Sequence, residues 1–570
     1  MLKIKSILVS LLAVVALASC SNENLEENPG VDGGAGYDVA YVSISLTSPK
    51  VPGSRASGSD EKEALKKESA INELYVITFD AGKKVTKDAK ADKYATVLAG
   101  ENSLGTNSGV TTPNTPIKVG TDTKYLLVVA NPGYQLKSRL DAITASATYT
   151  TINDMITVPT DNTNTKPNNA YLVEEVVHSN GCAMINVGFY DDVNSKWEDE
   201  CLLDVSDNII LASDYKTDAQ ALNAAKNNPA TLEIERLAAK LEVMIGSPLA
   251  VGPFENETTS LGQFEFGNWT IDYYNSLLFP FAKKTTTASS HTAGFYKSNF
   301  YTIDPNFITT TGGTEYLTGI IKNTLDATTR EPKVEWVAES ATAGDKYKYC
   351  IENTMPAGYQ KFGAATRLVL KGKYAPWKDD SDFTLGDDWY RLPNGTSSVN
   401  FKNFAQLLDA YTEAKDKETN SEPMTAQDKL LVSACELFYT QIKPVLTTDP
   451  GSFASLTQAI IDANNIQNGG ELCKEEGCIY WYPKSLNYYY YEIRHDNAAD
   501  SHMEYGKYGV VRNNYYTLTL TKVNGNGTPW YPGGGPEDPD DEEDIDKLGA
   551  YLHFEIKVAP WIYWTTEFEI

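Results

Sequence analysis

Cys20, Arg55 and the pair Cys473 and Cys478 are the side chains whose type and setting could undergo or invite covalent chemistry. Cys20 follows Leu17-Ala18-Ser19, behind Lys3, Lys5 and an apolar stretch from Ile7 to Leu17. So short an apolar core does not hold a permanent membrane span, and small residues before a cysteine suit a processing peptidase. Residues 1–19 therefore read as a lipoprotein signal, with Cys20 as the acylated first residue of an exported chain; the plainer reading is a secretory signal with Cys20 there by chance. Arg55 sits in Gly53-Ser54-Arg55-Ala56-Ser57-Gly58-Ser59, an open loop of small residues behind Pro49 and Pro52, and no other Arg precedes Arg139. Cys473 and Cys478 flank Glu475-Glu476-Gly477 closely enough to bridge across a turn. Neither CxxC spacing nor an adjacent His points to zinc there. The remaining cysteines, Cys182, Cys201, Cys350 and Cys435, bring the number beyond Cys20 to an even count that permits disulfides without demanding them.

Catalytic constellations are weaker. The five His, at 178, 291, 495, 502 and 553, include no pair at metal-binding helical spacing, and there is no Gly-x-Ser-x-Gly elbow. Trp481, Tyr482 and the run Tyr488 to Tyr491 could line a carbohydrate site, but nothing in the pattern places two carboxylates together. No enzyme, metal site or cofactor is expected. The 76 acidic against 49 basic residues give a net charge of −27, which argues against nucleic acid or anionic lipid as a partner.

The elements that must position these residues are mostly strands. Ser21 to Gly36 is a tether of Asn, Glu and Gly. Ala40, Val42, Ile44 and Leu46 then alternate with Tyr41, Ser43 and Ser45, the period of a strand with one buried face. Further strands are expected at Leu74 to Phe79, Lys124 to Ala130, Thr231 to Ile245 and Thr366 to Lys371, in a mainly antiparallel sandwich architecture. Helical spacing at Phe404, Leu407, Leu408 and Tyr411, then Thr425-Ala426-Gln427-Asp428 before Leu430, Leu431, Ala434 and Leu437, predicts a helical insertion over about 403–464. Residues 533–548 form an acidic Gly/Pro linker, without the ordered spacing of a calcium loop. Beyond it, Leu552, Phe554, Ile556 and Val558, and past Ala559-Pro560 also Ile562, Trp564, Phe568 and Ile570, predict two amphipathic strands in tandem. So regular a pattern at a chain end calls for a partner strand, in its own domain or in another molecule.

Several of these segments together resemble the fimbrillins of Bacteroidota type V pili. The resemblance runs through the Cys20 motif, the strand before Gly53-Ser54-Arg55-Ala56, Ile71-Asn72-Glu73-Leu74-Tyr75-Val76, Tyr125 to Asn131 and Ile234-Glu235-Arg236-Leu237-Ala238-Ala239-Lys240. Tyr349-Cys350-Ile351-Glu352-Asn353, Val510-Val511-Arg512-Asn513-Asn514-Tyr515-Tyr516 and Val558-Ala559-Pro560-Trp561 are similar to the minor, short fimbrial subunits of Porphyromonas and its relatives. The resemblance implies two transthyretin-like β-sandwich domains, at 56–236 and 237–532, the second holding the helical insertion. It implies a precursor carried to the outer membrane as a lipoprotein, cut by an Arg-specific protease and polymerised outside the cell by strand exchange. Cleavage between Arg55 and Ala56 would release residues 20–55 with the removable strand Ala40, Val42, Ile44 and Leu46, and residues 549–570 would supply the donor. The implied partners are further copies of the chain, accessory anchor and tip proteins, the protease and host or bacterial surface ligands. A non-polymerising surface lipoprotein, binding glycan or host protein through its Tyr-rich segment, is the other reading.

Overall fold

β-Branched and aromatic residues in short alternating runs, punctuated by turns, build sheets, and sheets dominate this chain. A computed structural model describes residues 39–47, 62–63, 65–86, 94–100, 103–107, 110–155, 174–187, 190–191, 196–197, 201–254, 259–275, 277–281, 304–307, 320–321, 335–338, 346–394, 397–463, 477–495, 507–529 and 552–562. All of them lie within one unit, Asp38–Ile570.

The N-terminal part opens with β1 (Val39–Val42), β2 (Ile44–Thr47) and β3 (Lys62–Glu63), then the short helix α1 (Lys66–Ser69). Next come β4 (Glu73–Phe79), β5 (Val110–Pro113), β6 (Ile117–Gly120), β7 (Tyr125–Ala130), helix α2 (Tyr134–Asp141) and β8 (Met184–Asn186). The part closes with β9 (Ile210–Leu211), helix α3 (Asp218–Lys226) and β10 (Ala230–Arg236). One sheet has the order β9-β1-β6; a larger one contains the path β4-β7-β8-β10-β2-β5. Leu74, Ile77, Leu127, Val129, Ile185 and Leu232 belong to the hydrophobic core these strands share.

The expected strand from Thr231 to Ile245 is in fact two. At Leu237 the chain leaves β10 and enters β11 (Ala238–Val251), and the register moves from the first core to a second: Ala238 belongs to the first, Ala239 to the second. Strand β11 is followed by β12 (Gln263–Asp272), β13 (Tyr347–Ile351), β14 (Arg367–Ala375), β15 (Trp389–Asn394) and β16 (Ser397–Phe401). Helices α4 (Phe404–Thr419) and α5 (Ala426–Ile442) precede β17 (Tyr480–Tyr482), β18 (Leu486–Glu492), β19 (Asn514–Val523) and β20 (Leu552–Ile562). The order β13-β11-β19-β20-β3 makes one five-stranded sheet, and β12-β14-β18 runs through another.

Helices α4 and α5 pack with the small sheet β16-β15-β17 around a third core that includes Tyr390, Leu407, Tyr411, Leu431, Phe438 and Phe453. Asn403 caps α4 by accepting from the Gln406 amide at 2.9 Å. Thr425 and Asp428 form the expected reciprocal cap of α5, with N–H to side-chain oxygen distances of 3.1 and 2.8 Å. The buried face of α5 runs through Leu431, Ala434, Cys435, Phe438 and Ile442, leaving Leu430 and Leu437 at its margin.

Trp389 stacks on Tyr482 with ring centroids 4.0 Å apart and planes at 4°, and its indole N–H donates to the Tyr374 carbonyl at 3.1 Å. That stack ties β15 and β17 into the second core. Trp389→Ala should therefore lower unfolding free energy by about 3 to 5 kcal/mol, read as a lower urea midpoint.

Candidate functional site

Strands β1 and β2 occupy an unusual place for a segment near the start of a chain. β1 lies between β9 and β6, antiparallel to both, with Ala40 opposite Leu211 on one side and Val119 on the other. After Ser43 the chain crosses to the larger sheet, where β2 runs parallel to β10, with Leu46 opposite Leu232, and antiparallel to β5, with Leu46 opposite Thr111. Both strands are thus interior strands. Ala40, Val42, Ile44 and Leu46 are each 0% exposed. The opposite face was expected to meet solvent, but Tyr41 and Ser43 are buried as well. Tyr41 packs against Ala221 and Ala225 of α3, and burial together with the neighbouring Asp218 carboxylate pushes its phenol up. Cys20, Arg55 and Ala56 lie outside the described residues.

The C-terminal strand is docked on its own fold. β20 pairs antiparallel with β19, from Leu552 opposite Val523 to Pro560 opposite Asn514. Leu552 and Ile556 are buried in the second core, and Phe554 packs on Tyr491 with ring centroids 4.6 Å apart. The expected break at Ala559-Pro560 does not occur: one strand runs through to Ile562. Among the described residues its far side pairs with β3, at Trp561 and Ile562. Val558 and Ile562 fall within β20, while Trp564, Phe568 and Ile570 lie outside the described residues.

Sequence pattern gave no warning of what holds the start of the first sheet to the second. Glu68 of α1 and Lys240 of β11 form an ion pair at 2.8 Å, with side chains 1% and 3% exposed. The Tyr349 hydroxyl donates to the same Glu68 oxygen, and the other oxygen accepts from the Leu65 amide at 2.7 Å. Burial and then the Glu68 charge raise the Tyr349 phenol far above its usual range, so it stays a donor. Lys240 also lies 3.8 Å from the centre of the Tyr347 ring. Arg236 donates to the Glu68 carbonyl at 3.0 Å and to Ser69 Oγ at 3.2 Å, while its own amide donates to Asn513 Oδ1 at 3.2 Å. The one available sequence signal was the pair of cations, Arg236 and Lys240, set four residues apart in an apolar strand pattern. Arg512 is a second buried staple: it pairs with Glu352 and donates to the Pro280 and Phe279 carbonyls at 2.8 and 2.7 Å.

Other expected features take different forms. Cys478 is buried, its thiol donating to Gln441 Oε1 at 3.3 Å, and Cys473, its expected partner, lies outside the described residues. Burial of Cys478 beside α5 turns it into the third core. His495 is buried with Nδ1 2.5 Å from the Tyr516 hydroxyl, and burial lowers its pKa so that it stays neutral. The Tyr-rich run is no binding face: Tyr488, Tyr489 and Tyr491 are buried because β18 is an interior strand beside β14. Among the described residues no group of three His, Cys, Asp or Glu could hold a metal ion.

Against known proteins, residues 40–196 match the family of the major fimbrial subunit protein (FimA). Residues 480–567 match the C-terminal family of the major fimbrial subunit protein type IV, fimbrillin. The first match begins inside β1 and the second spans β17 to β20. No curated protein matches the chain. Among solved structures, a protein assigned to cell adhesion from Bacteroides eggerthii is 11% identical, with a TM-score of 0.34 over 92% of this chain and 97% of its own. One from Parabacteroides distasonis is 12% identical, with a TM-score of 0.33 over 92% and 99%. The tip fimbrial protein Mfa3 of Porphyromonas gingivalis, truncated at its C-terminus, is 9% identical, with a TM-score of 0.30 over 92% and 100%.

Removing one partner of the Glu68 pair strands the other charge. Lys240→Met should cost about 3 to 5 kcal/mol in urea unfolding, and the double variant Glu68→Gln, Lys240→Met should recover part of that loss.

Proposed function

From a chain that carries fimbrillin-family sequence in both its N-terminal and its C-terminal parts, we propose a shaft subunit of a cell-surface fimbria that polymerises by exchanging strands. The precursor is exported as a lipoprotein acylated on Cys20 and held at the outer membrane. An Arg-specific protease cuts after Arg55. The observation that carries the reading is the position of β1 and β2: interior strands of two sheets that lie N-terminal to Arg55.

Before the cut, that segment is bound within its own chain, at the high effective concentration a short tether gives. Afterwards it is a separate peptide whose binding is bimolecular and reversible, and its lipid draws it away from a growing polymer. Without it, the burial of Val42, Ile44 and Leu46, worth roughly 1.5 to 3 kcal/mol each, and of Ala40 is lost, leaving unpaired rows on β9, β6, β10 and β5. A neighbour's strand restores both. The donor is the span from Tyr551 to Ile570, swung out on the acidic linker 533–548. Its departure unzips β20 from β19, so donation is itself an exchange. Donor and acceptor lie at different places on one subunit, so the contact is heterologous and propagates into a filament. Accessory tip and anchor proteins would end the series.

The pairing of β20 with its own β19 is also what a non-polymerising surface lipoprotein that binds glycan or host protein would have. Comparing the chain isolated from cells with its Arg55→Ala variant separates the two. Strand exchange requires wild type that begins at Ala56 and forms ladders of oligomers, beside a variant that stays lipidated and monomeric. Intact monomers in both would give the role to the second reading.

A further inference from the structure

Tyr134 is 82% exposed, far more than any other large apolar side chain among the described residues. It stands at the rim of a cleft of about 940 Å³, also lined by Glu73, Lys137, Glu175, His178 and Asn180. The floor is rigid. Asn131, at φ +45° and fully buried, accepts from the Asn72 and Glu73 amides at 2.9 and 3.2 Å and donates to the Ala70 and Cys182 carbonyls at 2.7 and 3.0 Å. His178 Nε2 lies 3.0 Å from the Asn131 carbonyl and so carries the proton, while Nδ1 accepts from the Asn180 amide at 3.2 Å. Gly133 lets the chain pass close to the far wall, since a Cβ there would stand 2.2 Å from the Glu175 carbonyl oxygen.

We propose that this cleft is a binding site for a short neutral glycan of one to three sugar units, independent of the polymerisation surfaces. The walls carry both hydrogen-bond polarities. Lys137 is paired with Glu73, and the Glu175 carboxylate accepts from the Gln135 amide at the start of α2, at 3.0 and 3.2 Å. Those carboxylates are therefore engaged, and the wall offers a mixture of donors and acceptors instead of a bare negative charge. Sugar hydroxyls, each a donor and an acceptor at once, match that mixture. Acidic sugars do not, because Glu73, Glu174 and Glu175 outnumber the single ammonium of Lys137. The exposed Tyr134 ring supplies the flat apolar face on which the C–H side of a pyranose can lie, with its hydroxyl available to the rim.

The test uses the purified full-length chain on a printed panel of neutral di- and trisaccharides of glucose, galactose and N-acetylhexosamines, with sialylated counterparts and oligoarginine as comparators. At least one neutral member should bind; Tyr134→Ala should weaken it roughly tenfold or more, and Tyr134→Phe should stay within about threefold of wild type. Because Tyr134 is exposed, both variants should melt with the wild type. Absence of binding to every neutral member, or equal binding by Tyr134→Ala, would overturn the proposal. So would preferential binding of oligoarginine that Tyr134→Ala abolishes, which would assign the cleft to cationic side chains.

Discussion

A strand lying between two hydrogen-bonded neighbours satisfies backbone groups on both of its sides, and no side-chain rearrangement can replace it once it has gone. Residues 39–47 do this twice, in one sheet through β1 and in another through β2, with four aliphatic side chains fully buried along the way. The loss of such a segment is comparable in size to the whole stability of an ordinary domain, about 5 to 15 kcal/mol. A subunit that has lost it either unfolds, rebinds it or accepts another strand. The proposed assembly depends on that constraint.

In the proposed exchange the rest of the fold would have to hold without β1 and β2, and the buried ion pairs bear on that. Glu68 with Lys240, and Arg512 with Glu352, hold elements distant in sequence together without involving β1 or β2. Arg236 adds bonds from β10 to α1 and to the turn before β19. Since α1 follows Arg55 in the chain, a subunit cut there would keep this attachment across the two cores. Such pairs gain little in net stability over apolar packing, but a wrong arrangement leaves a charge buried alone, so they favour one geometry.

The period-2 alternation of Ala40 to Leu46 and of Leu552 to Val558 made both strands legible in the sequence, as the cap at Thr425 did for α5. Four things were not legible, for physical reasons. Burial of Tyr41 depends on α3, whose contact with β1 is tertiary. The Tyr488 to Tyr491 run has no polar alternation from which to read whether one face is open, and its interior place between neighbouring strands decides the matter. The Glu68–Lys240 pair joins residues 172 apart, and a single sequence carries no record of which charge meets which. The cleft beside Tyr134 escaped notice similarly, since its walls come from three separated segments.

Strand exchange makes a claim about register that cross-linking reads directly. Leu232 of β10 lies opposite Leu46 of β2. With cysteine at 232 and a second cysteine moved one residue at a time along 552–570, assembled fimbriae should show a disulfide between subunits that peaks at a single donor position and is weak at its two sequence neighbours, which face the other way, and the uncleaved precursor should show none. Absence of cross-links between subunits at every donor position, or equal cross-linking at neighbouring positions, would contradict the account.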